Sequence, residues 1–194
     1  MGEKSLQKKK YILEKAREVF MEKGYKNVTM KDIVDACEIS RGGLYLYFPG
    51  TRELFLEVLK AEQEDSGSEF EQKISKDFGP ADILALFLKE QKRELLTKKG
   101  TLQKACYEFF FEENDYSREN LLKKQFDAAV MVIQRLIEEG VEIGEFCCEE
   151  PRRAASNIMY VLEGLKVAAN TRGVTEAAVD REIMYMMQNL VAEE

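Results

Sequence analysis

Apolar side chains recur along this chain at intervals of three and four residues, the spacing of helices that bury one face. Ile12, Leu13, Ala16, Val19 and Phe20 form the first such face and predict a helix from about Leu6 to Lys23, stopped by Gly24. Thr29 can cap a short second helix carrying Ile33, Val34 and Cys37, and Ser40 a third in which Leu44 and Phe48 share a face. Pro49-Gly50 is a sharp turn, after which Thr51 caps a fourth helix with Leu54, Phe55, Val58 and Leu59. This helix is expected to fade through Glu62 to Glu69, where Ser66-Gly67-Ser68 reads as a bend or frayed end. Beyond Gly79-Pro80 the pattern predicts helices over about 81–97, 101–111, 118–139 and 151–171, and a last one capped by Thr175. Lys99-Gly100, the loop Asn114 to Ser117, and Gly140 with Gly144 are the expected breaks. The succession is about nine helices with no convincing strand, an all-α chain.

Residues 29–48 are the stretch on which chemistry concentrates. Two short helical patterns hinge at Glu38 to Ser40, as in a helix-turn-helix. With Leu44 and Phe48 turned inward, Arg41, Gly42, Gly43, Tyr45, Leu46 and Tyr47 remain around the outside. An arginine, two tyrosines and two positions without side chains at a helix N-terminus suit DNA: backbone can approach closely, and phosphate favours the exposed N–H groups. The same spacing would also serve two ordinary core helices joined by a turn.

Residues from about Ile12 to Leu59 closely resemble the N-terminal DNA-binding domain of the TetR/AcrR family of bacterial transcription regulators. The resemblance is carried by Ala16-Arg17-Glu18-Val19-Phe20 with Gly24-Tyr25, by Thr29-Met30-Lys31-Asp32-Ile33, by Gly43-Leu44-Tyr45-Leu46-Tyr47-Phe48, and by Glu53-Leu54-Phe55. The chain departs from the family pattern at Glu38, where glycine is usual, at Gly43, often threonine, and at Thr51, commonly a cation that is here displaced to Arg52. The resemblance implies a three-helix DNA-binding domain over 1–50 and an effector-binding and dimerisation domain over 51–194. It also implies contacts to DNA from Thr29, Lys31, Ser40, Arg41, Gly42, Gly43, Tyr45, Leu46, Tyr47, Thr51 and Arg52, with Arg41 the expected reader of a guanine edge.

Charge changes the picture by being uneven. Residues 1–52 hold eleven Lys or Arg against seven Asp or Glu, a net +4, whereas the remainder holds eighteen against twenty-nine, a net −11. A basic end on an acidic body presents itself to a polyanion, although solvated surface charge would look the same. Lys8, Lys9 and Lys10 cluster on the expected DNA side. No stretch approaches the roughly 20 apolar residues that span a bilayer, and the N-terminus lacks the apolar run of a signal peptide, so a cytoplasmic protein is expected. Cys37, Cys106, Cys147 and Cys148 fit that compartment, the adjacent last two making a strained, disfavoured disulfide. There is no histidine, no metal-ligand spacing and no nucleophile paired with a base, which argues against an enzyme and against any cofactor.

In the C-terminal part, Ile137-Glu138-Glu139-Gly140 through Gly144-Glu145-Phe146, and Val161-Leu162-Glu163-Gly164-Leu165, look like patches of the family's ligand-binding domains. Such domains bind a small molecule and pair through their last two helices. The stripes Ile158, Leu162, Leu165, Ala169 and Val179, Ile183, Met187, Leu190 are the expected homodimer interface, though an internal core would use them equally well. Phe87, Gln91, Phe110, Phe126 and Met131 are the expected lining of a site for a mostly apolar effector, because Gln91 interrupts an otherwise apolar stripe among large flexible and aromatic side chains. The expected function is a dimeric repressor that leaves a near-palindromic double-stranded operator when a small molecule binds. The alternative is an effector-independent DNA-binding or scaffolding protein whose C-terminal part only dimerises.

Overall fold

A computed structural model of the chain describes residues 2–97, 101–114, 120–188 and 190, and among them nine helices and no strand. These are α1 (Glu3–Lys23), α2 (Met30–Cys37), α3 (Arg41–Tyr45), α4 (Thr51–Lys73), α5 (Pro80–Leu96), α6 (Gln103–Glu113), α7 (Leu121–Glu142), α8 (Pro151–Thr171) and α9 (Glu176–Gln188). Among the described residues no helix is long and apolar enough to cross a membrane. Packing divides the chain into two compact units, Met1–Glu71 with Lys99–Asn114, and Gln72–Lys98 with Asp115–Glu194. Most of α4, and α6 from far along the chain, pack with the first three helices, a division by packing rather than by the expected functional domains. The reason is aromatic burial, which local spacing does not reveal.

In the first unit, α1 buries Ile12, Ala16, Val19 and Phe20, and α4 buries Leu54, Phe55, Val58 and Leu59. Phe109 of α6 is fully buried, its ring 5.2 Å from that of Phe55 and 4.9 Å from that of Tyr25, while Phe20 meets Phe55 edge-on at 4.6 Å. Each such ring pair adds about 0.5–1.5 kcal/mol to the burial of its area. A polar contact supports the docking, the Lys26 N–H donating to Glu108 Oε2 at 3.1 Å. Gly24 turns the chain there at φ +76°.

Helix α2 starts with a complete capping box. The Asp32 N–H donates to Thr29 Oγ1 at 3.3 Å and the Thr29 N–H to Asp32 Oδ2 at 2.8 Å. Lys23 Nζ adds an ion pair to Asp32 Oδ1 at 2.6 Å. The Lys23 hydrogen bond, followed by those from Thr29, holds the Asp32 carboxyl well below the ordinary carboxylate range. Glu38 ends the helix in the left-handed conformation, φ 53°, doing without glycine what glycine does at lower cost.

The second unit packs α5, α7, α8 and α9 around Leu84, Leu88, Val130, Ile133, Ile137, Phe146, Ile158, Leu162, Met186 and Leu190. Glu145 returns to the start of α5, accepting from the Ala81 N–H at 2.9 Å, and the Cys147 N–H donates to the Leu190 carbonyl at 2.8 Å.

Three breaks differ from the sequence expectation. Helix α4 runs straight through Ser66-Gly67-Ser68 to Lys73, the penalty of one exposed glycine, about 1 kcal/mol, being outweighed by good helix formers on either side. Helix α7 passes through Gly140 and continues to Glu142; the true exit is Gly144, at φ +81°. Gly140 instead admits the Phe146 ring, which lies 2.2 Å from where a Cβ would stand. Helix α1 starts at Glu3, ahead of Leu6. The expected stop at Lys99-Gly100, the loop at 115–117 and a helix start at Arg118 lie outside the described residues.

Two stability outcomes follow. Gly140→Ala is favourable by helix propensity yet is expected to destabilise by about 1–3 kcal/mol through overpacking against Phe146; urea denaturation checks the sign. Asp32→Ala is expected to cost about 1 kcal/mol at neutral pH. Because the folded carboxyl titrates below its ordinary 3.8, its contribution is held in full above about pH 5 and lost as the pH falls toward the folded value. The gap between parent and variant should therefore close in acid-side denaturation series.

Candidate nucleic-acid interface

The α2–α3 segment is a helix-turn-helix built on two buried anchors, Leu44 and Phe48, both effectively inaccessible. Ser40 caps α3, its Oγ accepting from the Gly43 N–H at 3.1 Å, so this expected contact residue first sets the start of the helix. With Leu44 inward, Arg41, Gly42, Tyr45 and Leu46 face solvent, and Leu46 is 85% exposed. The Arg41 guanidinium lies 5.6 Å from the Tyr45 ring centroid, a cation–π contact that steadies it at the outer face. Nothing stands within 4 Å of where a Gly42 Cβ would be, whereas at Gly43 that point has Ser40 Oγ at 3.1 Å and Lys8 Nζ at 3.7 Å.

The flanking residues are placed by the capping already described. Thr29 and Lys31, at the start of α2, are exposed, Thr29 spending its hydroxyl on Asp32. Tyr47 is half-buried and its hydroxyl accepts from Ser5 Oγ at 3.3 Å, tying the start of α1 to this surface. Thr51 is half-buried at the start of α4. Arg52 is exposed but engaged: Nε donates to both Glu113 oxygens at 3.0 Å and a terminal nitrogen to Glu113 Oε2 at 2.6 Å. Ser5, Lys8 and Glu113 are absent from the sequence-derived set. The lysine run hinted at Lys8, but its three members differ once folded: Lys9 pairs with Glu57 at 2.6 Å, while Lys8 reaches beside Gly43. No local signal links Glu113 to Arg52.

Half of the residues expected to pair two copies fall inside. Ile158, Leu162, Val179 and Leu190 are buried within the second unit, and Leu165, Ala169, Ile183 and Met187 are half-buried. A stripe chosen as the most apolar face of a helix is the one the protomer's own core claims first. What remains outside on α8 and α9 is a different apolar face, Tyr160, Gly164 and Val167 with Met184. The expected effector residues are likewise separated. Phe110 belongs to the first unit with α6, and Met131 is 55% exposed on α7 because Val130 and Ile133 take the inward positions. Phe87, Gln91 and Phe126 are half-buried in the second unit, where Phe126 meets Tyr160 at 4.9 Å. A cleft of about 460 Å³ lies in the first unit along α1 and α4, lined mostly by charged side chains such as Lys9, Arg17, Glu57 and Glu62 together with Leu6, Leu13, Val58 and Ala61, and none of the five expected residues lines it.

Cys147 and Cys148 lie outside any helix, Cys147 exposed and Cys148 half-buried against the core that holds Phe146, and both are free thiols. Among the described residues no group of three or more potential ligands is arranged to hold a metal ion.

Comparison with known proteins agrees with this geometry. The family described as bacterial regulatory proteins, tetR family, matches residues 12–58, and the tetracyclin repressor-like C-terminal domain matches residues 83–180. The HTH-type transcriptional regulator YfiR of Bacillus subtilis is 31% identical over 141 residues, 72% of this chain and 68% of that one. The HTH-type transcriptional regulator QacR of Staphylococcus aureus is 26% identical over 170 residues, 85% and 87% of the two chains. A transcriptional regulator from Saccharomonospora viridis, solved in complex with choline, shares the fold with a TM-score of 0.79 at 18% identity, over 95% of this chain and 98% of that one. With an outward helix-turn-helix on an all-α body and family matches to both parts, the chain belongs to the TetR family of bacterial transcription regulators, DNA-binding proteins and not enzymes.

Proposed function

We propose that this regulator is a cytoplasmic, dimeric repressor that reads a near-palindromic operator with Arg41, Gly42, Gly43 and Leu46. Thr29, Lys31, Ser40, Tyr45, Tyr47, Thr51, Arg52 and Lys8 surround these positions and serve the phosphate backbone. The observation that carries the reading is the outward presentation of Arg41 and of the strongly exposed Leu46 over a buried Leu44–Phe48 base. Arginine can grip guanine O6 and N7 together, and an apolar side chain suits a thymine methyl. Two copies related by a two-fold axis set their recognition helices in successive major grooves, roughly 34–36 Å apart.

The pairing surface in this reading is the outer face of α8 and α9, carried by Tyr160, Gly164, Val167 and Met184. The support is that these are exposed apolar positions at helical spacing, whereas the stripe of Ile158 and Leu162 already serves the protomer core. A small, mostly apolar effector binds among the helices of the second unit, where Phe87, Gln91 and Phe126 stand half-buried. The reading is supported by the regulator from Saccharomonospora viridis of the same fold, solved in complex with choline. Effector binding lowers operator affinity by shifting the population between two dimer geometries.

Arg41→Ala is expected to weaken the specific duplex by about 1–3 kcal/mol while hardly changing a random duplex. Titrations on both by fluorescence anisotropy check it, and equal losses would reassign Arg41 to phosphate. Tyr160→Arg with Met184→Arg is expected to give a folded monomer of low operator affinity. Leu162→Arg, at a buried position, should instead unfold the protein, at a cost of several kcal/mol. Sedimentation and circular dichroism separate the two results, and a double variant that stayed dimeric would move the interface elsewhere.

A further inference from the structure

The Arg52–Glu113 pair lies within the first unit and joins two helices far apart in sequence. Arg52 stands in the first turn of α4, directly after the turn that closes the helix-turn-helix. Glu113 is the last residue of α6, whose neighbours in sequence, α5 and α7, belong to the other unit. The carboxylate takes Nε at 3.0 Å from each oxygen and a terminal nitrogen at 2.6 Å, a forked contact of the kind a guanidinium makes with a phosphate. Arg52 is also 3.7 Å from Glu53. Its charge is thus largely answered within the protein, although its side chain remains 51% exposed.

Stability gives little reason for this pair. Exposed ion pairs contribute about 0–1 kcal/mol. Helix α6 is already held by Phe109 among the rings of Tyr25 and Phe55, and by Glu108 on the Lys26 N–H. A bidentate carboxylate over the first turn of α4 does, however, occupy the cation that the backbone of a bound duplex would use.

We propose that Glu113 stands in for a DNA backbone phosphate on Arg52, so that α6 in its docked position withholds one phosphate contact per protomer, and movement of its C-terminal end releases it. This rests on the DNA-binding reading above and adds its regulation. The docked arrangement is then the weaker-binding one, and the exchange of carboxylate for phosphate is an electrostatic step in the switch.

The experiment is a double-mutant cycle on the full chain, with Glu113→Gln, Arg52→Ala and the pair, titrated with specific and random duplexes over a range of salt. Glu113→Gln keeps the shape of the side chain and removes its charge; Glu113→Ala is the second variant, and thermal melting accompanies both. Expected are a gain in affinity of about three- to tenfold on both duplexes and a salt dependence steeper by about 0.9 per protomer. Both gains should vanish when Arg52→Ala is added, and Arg52→Ala should cost more affinity in the Glu113→Gln background than in the parent. Unchanged affinity and salt slope in folded Glu113→Gln and Glu113→Ala, or an equal loss from Arg52→Ala with and without Glu113, would overturn the proposal and leave the DNA-binding reading standing. A parent protein that retained no duplex at low salt would sink both.

Discussion

The ring of Phe109 is the contact on which the organisation of this chain depends. Brought from α6 into the space bounded by Tyr25 and Phe55, it turns an N-terminal three-helix motif into a larger unit with a helix borrowed from the middle of the chain. A three-helix motif of about fifty residues buries little apolar area for its size. The borrowed helix supplies a fully buried aromatic and two acids, Glu108 and Glu113, that engage the first unit on either side of it.

That packing leaves the helix-turn-helix free to be all surface on one side. Leu44 and Phe48 hold α3 down, Ser40 caps it, and Tyr47 is tied to Ser5, so Arg41, Tyr45 and Leu46 project from a base with little freedom to move. The capping box of α2 does the same for Thr29 and Lys31. Local hydrogen bonds thus set the directions of side chains whose own contacts point outward, a division suited to recognising a ligand as rigid and repetitive as duplex DNA.

Electrostatics overlays a second division. The first 52 residues are net positive, but the cations among them are unequal once folded: Lys9, Lys23 and Arg52 are paired with Glu57, Asp32 and Glu113, while Arg41 stacks on an aromatic ring. Acids from α2, α4 and α6 therefore govern how much of the positive charge meets a polyanion. Net charge alone would overstate it.

The sequence by itself determined what short-range chemistry determines. Helical periodicity and the N-caps Thr29, Ser40 and Thr175 located nearly all the helices, and the spaced motifs from Ile12 to Leu59 pointed to the family, because both signals lie within a few residues of one another. Only the tertiary structure decided which unit α6 joins, that Gly140 continues a helix to receive Phe146, that Arg52 is held by Glu113, and that Ile158 and Leu162 face the protomer's own core, with Tyr160 and Met184 outside. The physical reason is the same in each case. Periodicity tells that a face is buried but not by what, since the partner that covers an apolar stripe or answers a charge lies far along the chain and is chosen by shape and area across the whole fold.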